Sequence, residues 1–521
     1  MGQGLSEISP QWDLLIIGGG ITGAGILAEA SRMGMRALLC EQRDFAWGTS
    51  SRSSKLVHGG LRYLRQGSFH LTLQSVRHRE RLLREAEGLV SPIPFLMPVG
   101  GGPGPGRLSM AMALALYDMM AGKRFHRYLG KEELETVAPG LSFAGLRGGF
   151  LFKDAQVDDA RLVLRLIMEA QQRGAVALNY TRVGEIIRDR SGKASGALLV
   201  DEDTGETRPI RARALINATG VWAEGLQRSP DARLRLRPLR GSHLVFPQWR
   251  LPVYCALTLI HPRDRRPLFM FPWEGVLIFG TTDVDHGEDL SQEPRITAQE
   301  ANYMMECLRY YFPASDIGLR DAVSSWSGVR SVLSSGPKPP SQESREHVVW
   351  KSPGMVTVTG GKLTTFRVLA KDALEALAPE LGLCKGVELS HPVYDPRPDL
   401  SPQDSPLAYH LRRRLWARYG QGARWMLENA SRDELEPIAA TDTLWAELAY
   451  VARFEKVRHL DDLLLRRVRV GILTRRGGIE FLERVRSLCA PILGWDEARF
   501  QQEKEAYLRT IERAYSAPEE S

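Results

Sequence analysis

A chain of 521 residues with 43% hydrophobic and 25% charged residues has the composition of a globular protein of two or three domains, which excludes a fibrous repeat or a disordered polymer. Its 69 Lys and Arg against 62 Asp and Glu leave a formal net charge of +7, which favours an anionic partner: a phosphorylated small molecule, nucleic acid or anionic lipid. The five cysteines, Cys40, Cys255, Cys307, Cys384 and Cys489, are scattered and odd in number, which argues for reduced thiols and against a disulfide framework or a metal site.

No basic-then-apolar leader precedes the first strand, so no signal peptide is expected. Asp13–Ile17 is a short apolar strand, and Gly18-x-Gly20-x-x-Gly23 follows it where a helix starts. The first glycine permits the turn, the second lets backbone approach a pyrophosphate, and the third lets helix and strand pack closely. The helix N-terminus then offers its amides and its positive dipole end to phosphate. A second strand, Ala37–Cys40, delivers Glu41 at the spacing of a ribose-binding acid, so residues 13–41 form a dinucleotide-binding unit. Residues 48–64, GTSSRSSKLVHGGLRYL, are polar and start with little hydrophobic periodicity. Thr49, Ser50, Ser53 and Ser54 bring hydroxyls for phosphate and ribityl oxygens, while Gly59 and Gly60 let backbone lie against a flat ring.

Residues 69–88 have helical spacing, with Leu71, Leu73, Val76, Leu82 and Leu83 among arginines. Residues 91–107, SPIPFLMPVGGGPGPGR, read as a proline and glycine break. The Met-rich helical piece after it reads as core or interface; its run Leu108–Met120 carries Asp118 and falls short of the roughly 18 apolar residues of a membrane span, so any membrane contact is expected to be peripheral. A strand and then a helix from Asp158 to Gly174 come next. Strands with turns at Ser191-Gly192 and Asp203-Thr204-Gly205 end on Ala214–Ala218 and the turn Thr219-Gly220, back at the first sheet. Residues 236–345 are strand-rich, through LVFP, LFMFPW and VLIFGTTD, and suggest an inserted antiparallel substrate domain. In residues 356–377, VTVTGGKLTTFRVLAKDALEAL, a strand and glycine turn lead into a helix beginning near Leu363, with Thr364 and Thr365 as caps. The expected domains are a nucleotide-binding domain in three pieces (1–90, 151–235 and 346–385), a segment 91–150 partly of the substrate domain, a β-rich substrate domain 236–345, a proline-rich linker 386–405 and a helical domain 406–521. The last contains Arg412, Arg413, Arg414, Arg418, Arg466, Arg467, Arg469, Arg475 and Arg476, which read equally as a face for anionic lipid or as solvated helix surfaces.

The ordered motifs IIGGGITGAGI, TSSRSSKLVHGGLRYL, VDDARLV, NATGVW, GSHLVFP, FPWEGVLIFGTTDVD, SGVR and GGKLTTFR resemble the FAD-dependent, membrane-associated glycerol-3-phosphate dehydrogenases over nearly the whole chain. The resemblance implies an α/β fold with a glutathione-reductase-type, Rossmann-like FAD-binding domain, an inserted β-rich substrate domain and an all-helical C-terminal cap. It implies oxidation of sn-glycerol 3-phosphate at C2 to dihydroxyacetone phosphate, with hydride passing to flavin N5 and electrons onward to a membrane quinone. FAD is the implied cofactor, with no metal. The implied FAD-binding positions are Gly18, Gly20, Ile21, Thr22, Gly23, Glu41, Gln42, Thr49, Ser50, Ser53, Ser54, Lys55, Leu56, Gly59, Val183, Ala218, Thr219, Gly220, Gly361, Lys362, Leu363 and Thr364.

Hydride leaves C2 only as the hydroxyl loses its proton, so a base titrating near neutrality is wanted. His58, in the stretch expected against the flavin, is the first candidate, and His243 in Gly241-Ser242-His243 is the second. A phosphomonoester needs fixed cationic donors, and arginine's planar fork suits it best. Arg330 in SGVR, grouped with the catalytic residues, and Lys362 match the family's phosphate-binding positions. Arg62 and Tyr63 match its substrate pocket, Arg266 is a weaker match, and Thr281 with Thr282 and Asp283 shapes the pocket or its rim. The helix after Lys362 is expected to point its positive end at reduced flavin. Trp47-Gly48 and Ser331 depart from the family pattern, which leaves the exact substrate preference open. The absence of a long insertion like that of oxygen-using relatives favours a quinone acceptor. The alternatives are an oxidase using O2, an oxidoreductase of another amine or 2-hydroxy acid, and a catalytically silent flavin-binding protein acting through its basic helices. No zinc pattern, RNA-binding motif or aromatic interleaving supports nucleic-acid binding. The family implies a cytoplasmic protein held peripherally on the anionic lipid of the inner face of the cell membrane; a homodimer stays open.

Overall fold

The computed structural model describes residues 4–61, 64, 67–102, 104–226, 236–334, 343, 347–383, 386–395 and 407–519. The expectations for Arg62, Tyr63 and residues 396–405 of the linker lie outside the described residues. In chain order the strands are β1 (Gln11–Ile17), β2 (Ala37–Cys40), β3 (Val90–Gly100), β4 (Arg127–Gly130), β5 (Leu146–Val157), β6 (Val176–Leu178), β7 (Thr181–Arg188), β8 (Ala194–Asp201), β9 (Thr207–Asn217), β10 (Leu236–Pro247), β11 (Ala256–Ile260), β12 (Pro267–Trp273), β13 (Val276–Gly280), β14 (Val284–Asp285), β15 (Ser324–Leu333), β16 (Val348–Ser352) and β17 (Met355–Thr359). The helices that matter for the site are α1 (Ile21–Arg32), α2 (Phe69–Glu85), α3 (Arg107–Ala121), α4 (Asp159–Gln172), α5 (Ala298–Tyr311) and α6 (Phe366–Ala376). The C-terminal region adds α7 (Tyr409–Tyr419), α8 (Gly422–Asn429), α9 (Trp445–Phe454), α10 (Leu482–Leu493) and α11 (Glu497–Thr510).

The first sheet runs β16-β17-β9-β1-β2-β6, with β8 joining β7 to β9. β1 is parallel to β2 and β9, with Ile17 opposite Cys40 and Asn217, and β17 is parallel to β9. These four strands therefore finish along one edge, the carboxyl edge at which open α/β sheets bind ligands. The interior residues of β1, β2 and β17 are largely buried, between α1, α4 and α6 on one face and the strands β7 and β8 on the other.

The second sheet runs β14-β10-β13-β12-β11-β3-β5-β4, with β15 on the other flank of β10. It draws on residues 90–157 as well as 236–333, and β3 corrects the reading of residues 91–107 as a break. β3 is a strand of 11 residues despite Pro92, Pro94 and Pro98. All three prolines fall on one phase of the two-residue alternation and lie opposite Ala155, Lys153 and Gly149 of β5. On its other side β3 meets β11 only at Phe95 and Leu96, so the missing N–H groups fall where a neighbour is absent. Of that stretch, Gly101, Gly102 and residues 104–106 keep the expected loop character.

The helix after β17 also differs at its start. Leu363–Thr365 form a single 3-10 turn before α6, and neither threonine caps the helix: Thr364 Oγ1 donates to His58 O at 3.5 Å and Thr365 Oγ1 to Lys362 O at 3.4 Å. The C-terminal region is helical as expected, but most of the arginines singled out in it face inward. Arg414, Arg418, Arg466, Arg467 and Arg469 are buried. Arg414 pairs with Glu447 at 2.6 Å, Arg418 with Asp158 at 2.5 Å, Arg466 and Arg467 with Asp44 at 2.6 Å, and Arg469 with Asp159 at 2.9 Å. Arg475 and Arg476 are exposed. The reading of these arginines as a lipid-facing or solvated surface therefore fails for the buried majority. Arg418, Arg466, Arg467 and Arg469 close onto acids of the first domain and Arg414 onto Glu447 of the C-terminal region itself, because a charge enclosed there is tolerable only when paired.

Candidate active site

At the carboxyl edge of the first sheet lies an open cleft. One end is the glycine turn between β1 and α1. Gly18 has φ of +110°, and a Cβ there would lie 2.6 Å from Ala218 O; a Cβ on Gly23 would lie 1.9 Å from Gly18 O. Only glycine lets the turn close against both β9 and the helix. Gly18, Gly20, Ile21 and Thr22 line the cleft, whereas Gly23 is packed behind it. Ser50 Oγ accepts from the Ile21 amide at 2.9 Å, and Glu41 Oε2 accepts from the Gly19 amide at 2.7 Å. Glu41 Oε1 accepts from Arg43 N at 2.9 Å. Burial pushes the Glu41 carboxyl up, and the Arg43 and Gly19 amides oppose it.

Glu41, Gln42, Thr49, Ser50, Ser53, Val183, Ala218, Thr219, Gly220, Gly361, Lys362 and Leu363 also line the cleft. Besides Gly23, five expected positions lie off it. Ser54 reaches His243, Lys55 is enclosed against Asp159, Leu56 packs in the core, Gly59 N donates to Asp154 Oδ1 at 2.9 Å, and Thr364 is buried against His58. Trp47 and Ser331, the departures from the family pattern, line it too, as do Arg182, Trp222 and Thr359, which no sequence signal singled out. Trp47 and Trp222 have ring centroids 6.1 Å apart, and the Arg52 guanidinium lies 4.7 Å from the Trp47 ring. Ser331 hydroxyl is 3.0 Å from Thr359 Oγ1, which donates to Gly220 O at 3.1 Å; a proline at 331 could not make that link. The donor set fits FAD: glycine-turn amides and a helix N-terminus for the pyrophosphate, an acid after β2, small residues at 218–220 and a second glycine turn with Lys362.

At the far end, β10, β13 and β15 bring three expected residues together. His243 pairs in register with Gly280 of β13 and Trp326 of β15. Gly241 has Arg330 Nη2 and Thr281 Oγ1 against it. Arg330 and Lys362 both line the cleft, and Lys362 Nζ donates to Ser75 Oγ of α2 at 3.0 Å. Arg266 stands apart, donating to Asp283 O at 3.1 Å and pairing with its carboxylate at 3.3 Å.

The two histidines have different surroundings. His58 is half-buried on the loop after Val57. His243 is enclosed, stacked on Trp326 at 4.9 Å, with Nε2 2.9 Å from Ser54 Oγ and Nδ1 buried with no hydrogen-bond partner among the described residues. Burial first, then Lys55 and Arg330, push its pKa well below the ordinary value, so the ring is neutral. Beneath these strands the buried Glu300 of α5 ties the site together. Its Oε1 accepts from Ser242 Oγ at 2.8 Å and Thr282 Oγ1 at 2.7 Å, and its Oε2 accepts from Arg240 at 2.9 Å. Ser242 in turn meets Ser327 of β15 at 2.7 Å. No sequence signal singled out Glu300, because these three partners come from β10 and from the turn after β13, 18 to 60 residues before it in the chain.

Residues 13–367 match the FAD dependent oxidoreductase family, and residues 397–500 match the C-terminal domain of alpha-glycerophosphate oxidase. The aerobic glycerol-3-phosphate dehydrogenase of Staphylococcus aureus is 30% identical over 530 aligned residues, covering 97% of this chain and 94% of that protein. The glycerol-3-phosphate dehydrogenase from Bacillus halodurans, solved in complex with FAD, superposes with a TM-score of 0.75 at 28% identity, over 96% of this chain and 95% of that one. L-alpha-glycerophosphate oxidase from Mycoplasma pneumoniae, with FAD bound, shares the fold with a TM-score of 0.57 at 18% identity, over 75% of this chain and 100% of that one.

Proposed function

Because the chain belongs to the FAD-dependent glycerol-3-phosphate dehydrogenase family and FAD is its cofactor, we propose that it oxidises sn-glycerol 3-phosphate at C2 to dihydroxyacetone phosphate and delivers the electrons to a membrane quinone. The observation that carries the substrate assignment is the pair Arg330 and Lys362 at one end of the cofactor cleft. Two fixed cations suit a phosphomonoester dianion, and the guanidinium fork suits two of its oxygens at once. FAD supplies the hydride acceptor and the electron carrier. The chain's own residues do the rest. Arg330, set against Gly241 and Thr281, and Lys362, set against Ser75, hold the phosphate and so fix the orientation of C2. The C2 hydroxyl proton goes to His58, which is half-buried, while enclosed His243 fixes Ser54.

A peripheral seat on anionic lipid supports the quinone as acceptor. Helix α3 exposes Leu108 (74%), Met112 (60%) and Met119 (71%) at helical spacing, with Ala115 between them. Exposed Arg107, Lys123 and Arg124 flank this stripe, and its one acid, Asp118, is buried. An apolar face with cations beside it suits a lipid surface with acidic headgroups. α3 packs on α2 through Tyr117 and Arg79 at 2.8 Å, and α2 carries Ser75 at the end of the cleft. A quinone dissolved in lipid would therefore wait one helix away from the site. Among the described residues no helix is long and apolar enough to cross a membrane.

Anaerobic addition of sn-glycerol 3-phosphate should bleach the flavin absorbance of the purified protein, and a soluble quinone should restore it faster than air. Bleaching by an amine or a 2-hydroxy acid in place of the phosphate ester would sink the substrate assignment, and faster recovery in air would sink the acceptor. Leu108→Ser, Met112→Ser and Met119→Ser together should abolish co-sedimentation with phosphatidylglycerol vesicles. If the triple variant sediments as the parent does, α3 is not the docking face.

A further inference from the structure

Residues 49–55 form one wall of the FAD cleft, yet their own backbone gives them little reason to hold that shape. Thr49–Ser51 make a single 3-10 turn, and Lys55 has φ of +50°, a left-handed conformation that a side chain resists unless its surroundings enforce it. The segment faces two ways. Thr49, Ser50 and Ser53 look into the cleft, while Ser51 O, Arg52 and Lys55 look away from it.

What meets the far side comes largely from the C-terminal region. Arg469 Nη2 donates to Ser51 O at 2.8 Å and to Asp159 Oδ1 at 2.9 Å, while its Nη1 is held by Leu465 O at 2.8 Å. The same Asp159 carboxylate accepts from Ser53 N at 3.0 Å, Ser53 Oγ at 2.7 Å and Lys55 Nζ at 2.8 Å. Asp159 is thus shared between the cleft wall and Arg469, and Arg469, Asp159, Ser51 and Lys55 lie out of water. A second contact comes from the last turn of the chain. Tyr515 OH accepts from Arg52 Nε at 3.2 Å; Arg52 also pairs with Glu293 and lies over Trp47, which itself lines the cleft. Ser516 O accepts from Ser325 Oγ of β15 at 2.8 Å, which fixes that turn in place. Neither Arg469 nor Tyr515 lines the cleft.

We propose that the C-terminal helical region is a clamp on the cofactor loop: Arg469 and Tyr515 are positioning residues that hold residues 49–55 in the shape that retains FAD. Cofactor retention then depends on how the C-terminal region is seated, more than 400 residues along the chain from the loop it grips. Arg469 supplies three directed donors to three acceptors, a geometry a lysine cannot reproduce.

The test uses the full-length holoprotein and follows FAD release by the recovery of flavin fluorescence on dilution. Arg469→Gln should release FAD at least about tenfold faster than the parent, and Arg469→Lys should recover only part of that. Arg414→Gln is the comparison: Arg414 belongs to the same region and pairs with Glu447 and Glu274 but touches no residue of the loop. Measured equally far below their melting temperatures, Arg469→Gln must lose FAD faster than Arg414→Gln. Equal release would mean that only general stability is at work, and the clamp would be refuted. Tyr515→Phe removes one hydroxyl and keeps the ring packed, so it decides the matter if Arg469→Gln does not fold. Release a few times faster than the parent is expected from it, and an unchanged rate overturns the proposal.

Discussion

Gly241→Ala should weaken substrate binding without touching the cofactor. A Cβ at this position would lie 2.2 Å from Arg330 Nη2 and 2.5 Å from Thr281 Oγ1. Ordinary contact between such atoms needs about 3.5 Å, so the end of the guanidinium must move by about 1 Å. An arginine–phosphate hydrogen bond is about 2.7–2.9 Å long, and a displacement of that size takes it out of range. A hydrogen bond to a charged group contributes about 1.5–3 kcal/mol. At about 1.4 kcal/mol per decade, its loss lowers kcat/KM roughly 10- to 150-fold. Because the phosphate handle is lost in ground state and transition state alike, most of the change should appear in KM. The assay is steady-state oxidation of sn-glycerol 3-phosphate with a soluble acceptor, run beside a titration of FAD into apoprotein. Gly241 does not line the cofactor cleft, so FAD affinity should stay at the parent value. An unchanged KM would refute the assignment of Arg330 to the phosphate, and a parallel loss of FAD would mean that the strand had shifted as a whole.

Gly23→Ala should yield protein that does not keep FAD through gel filtration, since its Cβ would sit 1.9 Å from Gly18 O; a yellow, fully loaded variant would contradict the packing described. Asp44→Asn should lower the thermal midpoint, by the equivalent of about 1–3 kcal/mol, because Arg466 and Arg467 lose the buried charge they share and keep only Asp461 and Asp462, and Glu455; a surface-like effect under about 0.5 kcal/mol would contradict it. His459 is pushed up to about 9: burial lowers it, but the hydrogen bond it donates to Glu503 and the charge of Asp462 prevail. A raised pKa makes its stabilisation complete below the unfolded value and lost as pH rises through about 9. His459→Gln should therefore lower the melting temperature near pH 6 and not near pH 10, and an equal drop at both would show that the ring acts by packing alone.

The dinucleotide turn was legible because glycine spacing, strand and helix are local and each answers to one physical need. Gly18, Gly20 and Glu41 stand where that logic puts them, at the end of β1, the start of α1 and the end of β2. β3 was not legible because prolines are read as breaks unless the neighbours are known. Pro92, Pro94 and Pro98 are harmless only because β11 reaches no further than Phe95 and Leu96, which residues 91–107 cannot reveal. The polar stretch 48–64 was legible as ligand-facing in kind but not in detail. The segment follows no helix or strand period, so Ser53 lines the cleft while Lys55, two positions on and at φ of +50°, is enclosed against Asp159.

The C-terminal arginines fail for a different reason, and it bears on what the region does. Composition counts a charge without saying where it points, and a basic helix reads as an outer surface when its acids lie far along the chain. Here the partners are Asp44, Asp158 and Asp159, each more than 250 residues away from the arginines they meet. Asp158 also caps α4 through the Arg161 amide at 3.1 Å, so one acidic pair starts a helix, receives the C-terminal region and holds the cofactor loop. Buried ion pairs add little net stability compared with apolar packing, but a misaligned one costs several kcal/mol. Several of them across one interface therefore select a single seating, since a slip along α7 or past Arg469 would leave more than one guanidinium without its acid. A region that only shielded the first domain would need no such registration; one that must bring Arg469 to Ser51 O does.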